Sequence, residues 1–138
     1  AELFRAKCKV QVREADDKEP IVGGTVYFAP ADYHLLVEPD KSLSLSSDEP
    51  VLFSRPSIDV LFESAADAYG PALIAIVLTG ANEDGAKGMR AVLELGGVAL
   101  VQRPDHAFAR AMPEAAIRLC PGAQVMALAE IAAHLQKV

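Results

Sequence analysis

The sequence predicts an α/β fold in which a mainly parallel sheet carries helices on both faces. This is a Rossmann-like, doubly wound arrangement, with a small antiparallel hairpin section added to it. Over residues 56–137, short apolar runs alternate with segments whose apolar residues recur at helical spacing, as in parallel sheets with right-handed crossovers. Over residues 8–46, apolar and polar residues alternate with a period of two, which indicates half-buried strands joined by turns.

The first third of the chain is predicted to hold short strands. Residues 1–6 resemble the end of a helix, and residues 8–12 alternate as a strand. A second strand is predicted over residues 25–28, between glycine and proline punctuation. Residues 34–38 and 42–46 flank a Pro-Asp-Lys turn sequence, which predicts a hairpin. We expect this whole section to be antiparallel.

The rest of the chain is predicted to alternate between helices and buried strands. Loops 79–84 and 102–111 then fall at the carboxyl ends of neighbouring strands, where open α/β sheets bind ligands. The predicted elements are a helix over 56–69, a central strand over 72–78, a helix over 84–95, a strand over 98–101, a short helix over 113–120, a strand over 124–128 and a helix over 130–137.

Composition and charge limit the classes of function. The chain has 138 residues, 51% hydrophobic and 23% charged, which suits one folded unit and excludes disorder. Its net charge of −6 leaves no basic stripe for nucleic-acid phosphates and disfavours an anionic membrane surface. The longest apolar run, residues 72–78, is too short to span a bilayer. Cys8 and Cys120 lack metal-ligand spacing, so we expect buried thiols in a reducing, cytoplasmic compartment and no metal site.

The strongest local signal is the run Thr-Gly-Ala-Asn-Glu-Asp-Gly-Ala-Lys-Gly-Met over residues 79–89. A buried strand delivers a glycine-containing loop, and the loop brings Asp84 to a helix start. One interpretation makes Asp84 the N-cap of that helix. Another makes its carboxylate orient a catalytic histidine, and the two are compatible because a carboxylate has two oxygens. A phosphate-binding loop fits less well, because the glycine spacing differs and two acids would repel phosphate.

This run is similar to a motif of the bacterial chemotaxis protein-glutamate methylesterase family, in which a strand precedes a TGMGxDGAxGM-like sequence. Other stretches resemble family motifs in the same order along the chain, so the resemblance covers nearly all of it. These stretches are residues 24–30 (G-x-x-Y-x-A-P), residues 32–34 (D-x-H), residues 55–62 (RPSxDxLF), Gln102 and residues 112–115 (MPxxA).

The resemblance implies a serine hydrolase that demethylates glutamate esters on chemoreceptors and, in some members, deamidates receptor glutamines. It implies a Ser-His-Asp triad without a cofactor, and Asp84 matches the triad aspartate. The family's serine and histidine motifs do not occur in this sequence. We therefore expect residues 1–138 to be the C-terminal portion of a methylesterase catalytic domain. The methylated chemoreceptor would be its protein partner. In many relatives a receiver domain precedes this region, and the sequence leaves its presence here open.

Around Asp84, the resemblance also implies an oxyanion and substrate region. This region comprises Gly80, Ala81, Gly85 and Met112. Ala81 stands where the family usually has methionine, and Asn82 where it often has glycine. These departures favour an alternative, a catalytically inactive methylesterase-like interaction module in a signalling system.

Several other serine, histidine and arginine side chains could take part in a functional site, but each also has a purely structural explanation. Ser54 and Ser57 suit caps of the helix that follows them, and His34 and His134 suit hydrogen-bonded or surface positions. Arg55 suits an ion pair. His106 lies in the loop after the strand over 98–101, at the edge of the sheet where ligands bind, and is a candidate for an auxiliary role in the site. A third interpretation is a small-molecule site formed by His106 and Asp84. A parallel sheet without its first strands would expose edges, so we also expect self-association.

Overall fold

Four short strands precede the first helix in the computed structural model, which describes residues 10–52 and 54–138. The first pair is parallel and joins β1 (Gln11–Glu14) to β2 (Thr25–Phe28). The second pair is antiparallel and joins β3 (His34–Val37) to β4 (Leu43–Ser46). The predicted hairpin is therefore confirmed, whereas the prediction that the whole section is antiparallel is wrong.

The connection between β1 and β2 explains their parallel pairing. Its middle runs beside the hairpin, where the Leu43 N–H donates to the Glu19 carbonyl at 2.7 Å and the Ile21 N–H donates to the Lys41 carbonyl at 3.0 Å. This connection returns the chain to the end of the pair at which β1 begins, so that β2 can run in the same direction as β1. The helix end predicted over residues 1–6 lies outside the described residues.

The larger part of the structure is a three-stranded parallel sheet with its helices. In the described residues, no helix has both the length and the apolar character needed to cross a membrane. The sheet order is β5-β6-β7, so the predicted mainly parallel α/β fold with a hairpin section is confirmed. In chain order, the elements are α1 (Ile58–Tyr69), β5 (Ile74–Val77), α2 (Ala86–Glu94), β6 (Val98–Gln102), α3 (Ala111–Leu119), β7 (Gln124–Met126) and α4 (Leu128–Leu135).

The central strand of this sheet is β6 and not β5. From Ala99 to Gln102, every residue of β6 is buried, which requires cover on both faces. Within the described part of the chain, β5 lies at one edge of the sheet, and its Ile74 and Ile76 are only half-buried. The prediction that residues 72–78 form the central strand is therefore wrong for the described sheet. An apolar run does not reveal strand order, because an edge strand and a central strand can carry the same side chains.

Helix α1 connects the two parts of the structure. Its Ala66 is buried in the core formed by the parallel sheet, α2 and α3. Its neighbour Ala65 is buried in the second core, beside Leu35 and Val37 of β3. Adjacent residues of a helix point in different directions, so one helix closes both cores.

Helices α1 and α2 approach each other most closely at Gly88. A Cβ at that position would lie 2.7 Å from the Cβ of Phe62 and 2.9 Å from the Cα of Asp59. The second contact is to backbone, which cannot move without shifting α1. Only glycine therefore permits this helix spacing, and the spacing places the two helix starts side by side.

We expect Gly88→Ala to lower the free energy of unfolding by about 1–3 kcal/mol, because the added methyl group must separate α1 from α2. Urea denaturation followed by circular dichroism would measure this. The matched control is Gly23→Ala, since a Cβ at Gly23 meets nothing within 4 Å. The control should change stability by less than about 0.5 kcal/mol. Equal stability of both variants would contradict the close helix contact.

Candidate functional site

The carboxylate of Asp84 lies at the carboxyl end of β5 and caps the N-terminus of α1. Its Oδ2 accepts the Ile58 N–H at 2.6 Å, and its Oδ1 accepts the Asp59 N–H at 3.0 Å. Oδ1 also accepts the hydroxyl of Ser57 at 2.9 Å. The side chain is buried, with 6% of the residue exposed. Asp84 therefore stabilises a helix start 26 residues earlier in the chain and not the start of its own helix.

Asp59 makes the complementary contact with α2. Its Oδ1 accepts the Gly85 N–H at 3.0 Å and the Gly88 N–H at 2.7 Å. Each aspartate thus pairs the free N–H groups of the other helix, and we call these two carboxylates the reciprocal caps. A helix cap of this kind contributes about 1 kcal/mol. Asp59 lies in the RPSxDxLF motif, which was the only sequence signal for it, and its role was not predicted.

The two carboxylates of the reciprocal caps influence each other electrostatically. Burial raises the pKa of Asp59, and the nearby negative charge of Asp84 raises this pKa further. The N–H groups of Gly88 and Gly85 act in the opposite direction, because they stabilise the charged form. The site therefore holds one carboxylate whose charge is disfavoured, beside Asp84 with its three donors.

The serines predicted to cap α1 do not do so. Ser57 occupies the N-cap position, but its hydroxyl donates to Asp84 and accepts nothing from the helix. The hydroxyl of Ser54 donates to the carbonyl of Pro56 at 3.4 Å. Asp84 takes the helix donors instead, because a charged carboxylate is a stronger acceptor than a hydroxyl. At the start of α2, the N-cap residue is Gly85, in a left-handed conformation with φ of 102°.

His34 lies next to this network with a fixed tautomer. Its Nδ1 accepts the Ser57 N–H at 3.2 Å, and its Nε2 donates to the Glu49 carbonyl at 2.9 Å. Both ring nitrogens are therefore occupied, Nδ1 as an acceptor and Nε2 as a donor. The Ser57 hydroxyl binds Asp84 and not the imidazole, so these buried residues do not form a nucleophile with its base.

The two other histidines lie apart from Asp84. His106 ends the 3-10 turn Pro104–His106 and is exposed, with its Nε2 3.8 Å from Asp105. Asp105 itself pairs with Arg103 at 3.1 Å. His134 lies on α4, as predicted. Neither histidine has a hydrogen bond to Asp84, so the auxiliary role considered for His106 stays a prediction.

The loop after β5 is tied to the start of α3. The Gly80 N–H donates to the Ala109 carbonyl at 3.1 Å, and the Met112 N–H donates to the Gly80 carbonyl at 3.1 Å. The Gly85 N–H is also occupied, by Asp59. By contrast, the N–H of the exposed Ala81 has no hydrogen bond to any described residue. Of the predicted oxyanion region, Ala81 is thus the residue whose N–H has no partner in residues 10–52 and 54–138.

Two further candidates have structural roles. Arg55 donates to the carbonyl oxygens of Ser47 at 3.0 Å and Asp48 at 3.2 Å, and it forms no ion pair within residues 10–52 and 54–138. The predicted ion pair is therefore wrong there. Cys120 is a buried free thiol, as predicted, and burial raises its pKa. Cys8 lies outside the described residues. The described part of the chain has no cluster of three metal-ligating side chains.

The geometry defines a parallel α/β domain with a buried, hydrogen-bonded carboxylate at the carboxyl end of a strand. The model of the CheB methylesterase family matches residues 1–135. The chain therefore belongs to this family, and the assignment made from sequence motifs is confirmed.

Relatives and a solved structure agree with this assignment. Over 130 residues, the chain is 50% identical to a protein of Leptospira interrogans serogroup Icterohaemorrhagiae serovar copenhageni, provisionally named protein-glutamate methylesterase/protein-glutamine glutaminase. It is 41% identical to protein-glutamate methylesterase/protein-glutamine glutaminase 1 of Rhodospirillum rubrum. The crystal structure of the CheB methylesterase catalytic domain of Thermotoga maritima is similar, with a TM-score of 0.92 at 28% identity.

The chain corresponds to part of each of these proteins. The Leptospira alignment covers 94% of this chain and 67% of the relative, and the Rhodospirillum alignment covers 91% and 33%. The Thermotoga comparison covers 99% of this chain and 74% of that chain. The relatives therefore contain sequence that has no counterpart in these 138 residues.

We expect Asp59→Asn to flatten the dependence of stability on pH. The pKa of Asp59 is raised above its ordinary value of 3.8, so the folded state binds the proton more tightly than the unfolded state. Stability from this group is present below pH 3.8 and is lost as pH rises towards the raised pKa. Asparagine does not titrate, so the variant should lack this loss.

Urea unfolding of both proteins in steps of pH from 3.5 to about 7 would measure the effect. The control is Asp67→Asn, which replaces an exposed carboxylate on the same helix and should keep the decline. If the decline persisted unchanged in Asp59→Asn, the raised pKa of Asp59 would be refuted as its source.

Proposed function

We propose that this chain supplies the acid of a Ser-His-Asp triad in a cytoplasmic protein-glutamate methylesterase, and that Asp84 is this acid. The proposed substrate is a methylated glutamate side chain of a chemoreceptor. Family membership supports the reaction class, since the relatives carry this activity in their names. The observation that carries the proposal is the position of Asp84, a buried carboxylate at the strand ends with an acceptor site to spare.

The hydrogen bonds of Asp84 leave room for one more donor. A carboxylate has about four lone-pair sites, and from the described residues Asp84 accepts two hydrogen bonds on Oδ1 and one on Oδ2. The remaining site on Oδ2 suits the N–H of an imidazole. A triad acid must hold its histidine in one tautomer and stay charged while the imidazolium forms. The three donors, from Ser57, Ile58 and Asp59, support the first requirement because they fix the orientation of the carboxylate.

The proposed serine and histidine come from a part of the full-length protein outside these 138 residues. Within the described residues, Ser57 and His34 are already committed to other partners, as their hydrogen bonds indicate. The longer relatives are consistent with this division. In the proposed reaction, the serine attacks the ester carbonyl, and the histidine takes its proton and then passes it to the departing methanol.

Hydrolysis of the acyl-enzyme by water completes the reaction. The ester and one water give a glutamate carboxylic acid and methanol, and a glutamine side chain would give ammonia in place of methanol. The tetrahedral intermediates carry a negative oxygen that needs N–H donors. The free N–H of Ala81 suits this role, whereas the N–H groups of Gly80 and Gly85 are bonded within the protein. Neither step calls for a metal or a cofactor.

An interaction module without activity is the second candidate function. The exposed pair Ala81 and Asn82 favours it, because both differ from the residues usual in the family at these positions. An inactive module would retain the fold and the reciprocal caps, since these stabilise the helices whether or not chemistry takes place. Activity of the full-length protein therefore decides between the two candidates.

We expect Asp84→Asn in the full-length protein to lower kcat about 10³- to 10⁴-fold, because an amide stabilises neither the correct histidine tautomer nor the imidazolium. Methanol release from a methylated receptor fragment would measure the loss. Since the amide also places a donor against the Ile58 N–H, assays should be run well below the melting temperature of the variant.

The matched control is Asp59→Asn, which alters the other reciprocal cap. It should lower kcat less than about tenfold, because Asp59 faces α2 and is given no part in the reaction. Similar losses in both variants would mean that activity depends on the caps alone, and the triad role of Asp84 would be rejected. Absence of activity in the wild-type full-length protein would favour the interaction module.

A further inference from the structure

Phe108 is the most exposed large apolar side chain in the described structure. It is 101% exposed, so its ring makes no packing contact. Among the other exposed apolar residues, Val138 reaches 78% and Val22 reaches 59%. A free aromatic ring in water loses all the stabilisation that burial would give it, which makes it a candidate for contact with another molecule.

The backbone that carries Phe108 is held firmly. The next residue, Ala109, donates its N–H to the Thr79 hydroxyl at 2.7 Å, and its carbonyl accepts the Gly80 N–H at 3.1 Å. Gln102 is buried and links the same two loops, since its Oε1 accepts the Thr79 N–H at 3.0 Å. The ring is therefore displayed on an ordered loop. Such an anchor needs little ordering when it binds, and this favours affinity.

Phe108 also lies at the functional edge of the sheet. Its loop follows the carboxyl end of β6 and is bonded directly to the loop that follows β5 and leads to Asp84. A protein segment bound over these two joined loops would therefore lie against the ring of Phe108. Val22, another exposed apolar residue, lies beside the β1–β2 pair and not on these loops.

A positive charge accompanies the aromatic ring. Arg110 is exposed, and its guanidinium has no hydrogen bond or ion pair with the described residues. The chain carries a net charge of −6, which would repel a protein segment rich in glutamate. A free cation two residues from Phe108 offsets this repulsion locally. Aromatic residues and arginine are also the side chains enriched at the energetic centres of protein interfaces.

We infer that Phe108 is the apolar anchor for the protein substrate, with Arg110 as the charge that attracts its glutamate-bearing segment. This rests on the proposed function and adds a specificity-determining residue to it. The ring would contact the segment that carries the methylated glutamate, outside the reacting atoms. A small ester lacking that segment would gain nothing from the contact.

The test compares two substrates in the full-length protein. One is a methylated chemoreceptor fragment, and the other is a blocked glutamate γ-methyl ester with no surrounding segment. For Phe108→Ala, we expect KM for the receptor fragment to rise about tenfold with kcat unchanged. Hydrolysis of the small ester should stay within about twofold of wild type. Phe108→Tyr should restore most of the affinity, and the control Val22→Ala should change neither substrate.

The alternative outcomes overturn the inference in separable ways. Unchanged KM for the receptor fragment in Phe108→Ala would refute the anchor while leaving the methylesterase proposal intact. Equal losses on both substrates would mean that the ring acts on the geometry of the site and not on substrate docking. A gain in small-ester hydrolysis would mean that the ring binds another part of the same polypeptide. If the wild-type protein hydrolysed neither substrate, the proposed function itself would fail.

Discussion

Two aspartates that cap each other's helix are the interaction on which the rest of this structure depends. Asp84 binds the first turn of α1 and Asp59 binds the first turn of α2, so each helix start is completed by a residue from the other. Without them, buried N–H groups at both starts would lack partners. Burial and the charge of Asp84 raise the pKa of Asp59, while the N–H groups of Gly88 and Gly85 act in the opposite direction, so the two carboxylates lie together at an electrostatic cost.

This constraint also connects stability with the proposed chemistry. A helix cap and a triad acid make the same demands on a carboxylate, namely a fixed orientation and a favoured negative charge. Three donors fix the orientation of Asp84, and among the described residues no hydrogen bond occupies its remaining acceptor site. The close approach at Gly88 is part of this design, because the two helix starts can exchange carboxylates only if α1 and α2 are adjacent.

Elsewhere along this edge, hydrogen bonds join the loop after β5 to the loop after β6. Thr79 and Gly80 are hydrogen-bonded to Ala109, and Gln102, at the end of β6, accepts the N–H of Thr79. The edge thus has a charged, buried part around Asp84 and an ordered, exposed part that displays Phe108. Under the proposed function, the buried part would hold the triad acid and the exposed part would contact the protein substrate.

The sequence by itself determined the parallel α/β class, the hairpin and the family. Helical and strand periodicity, turn residues and motifs are local properties that neighbours in the chain encode. Tertiary structure alone decided the parallel β1–β2 pair, the central place of β6, and which helix Asp84 caps. The sequence showed Asp84 before a helix, so capping of α2 was the natural local expectation. The groups that Asp84 caps instead belong to Ser57, Ile58 and Asp59, 25 to 27 residues earlier in the chain. No pattern within one segment reveals an interaction that forms only when two helices pack.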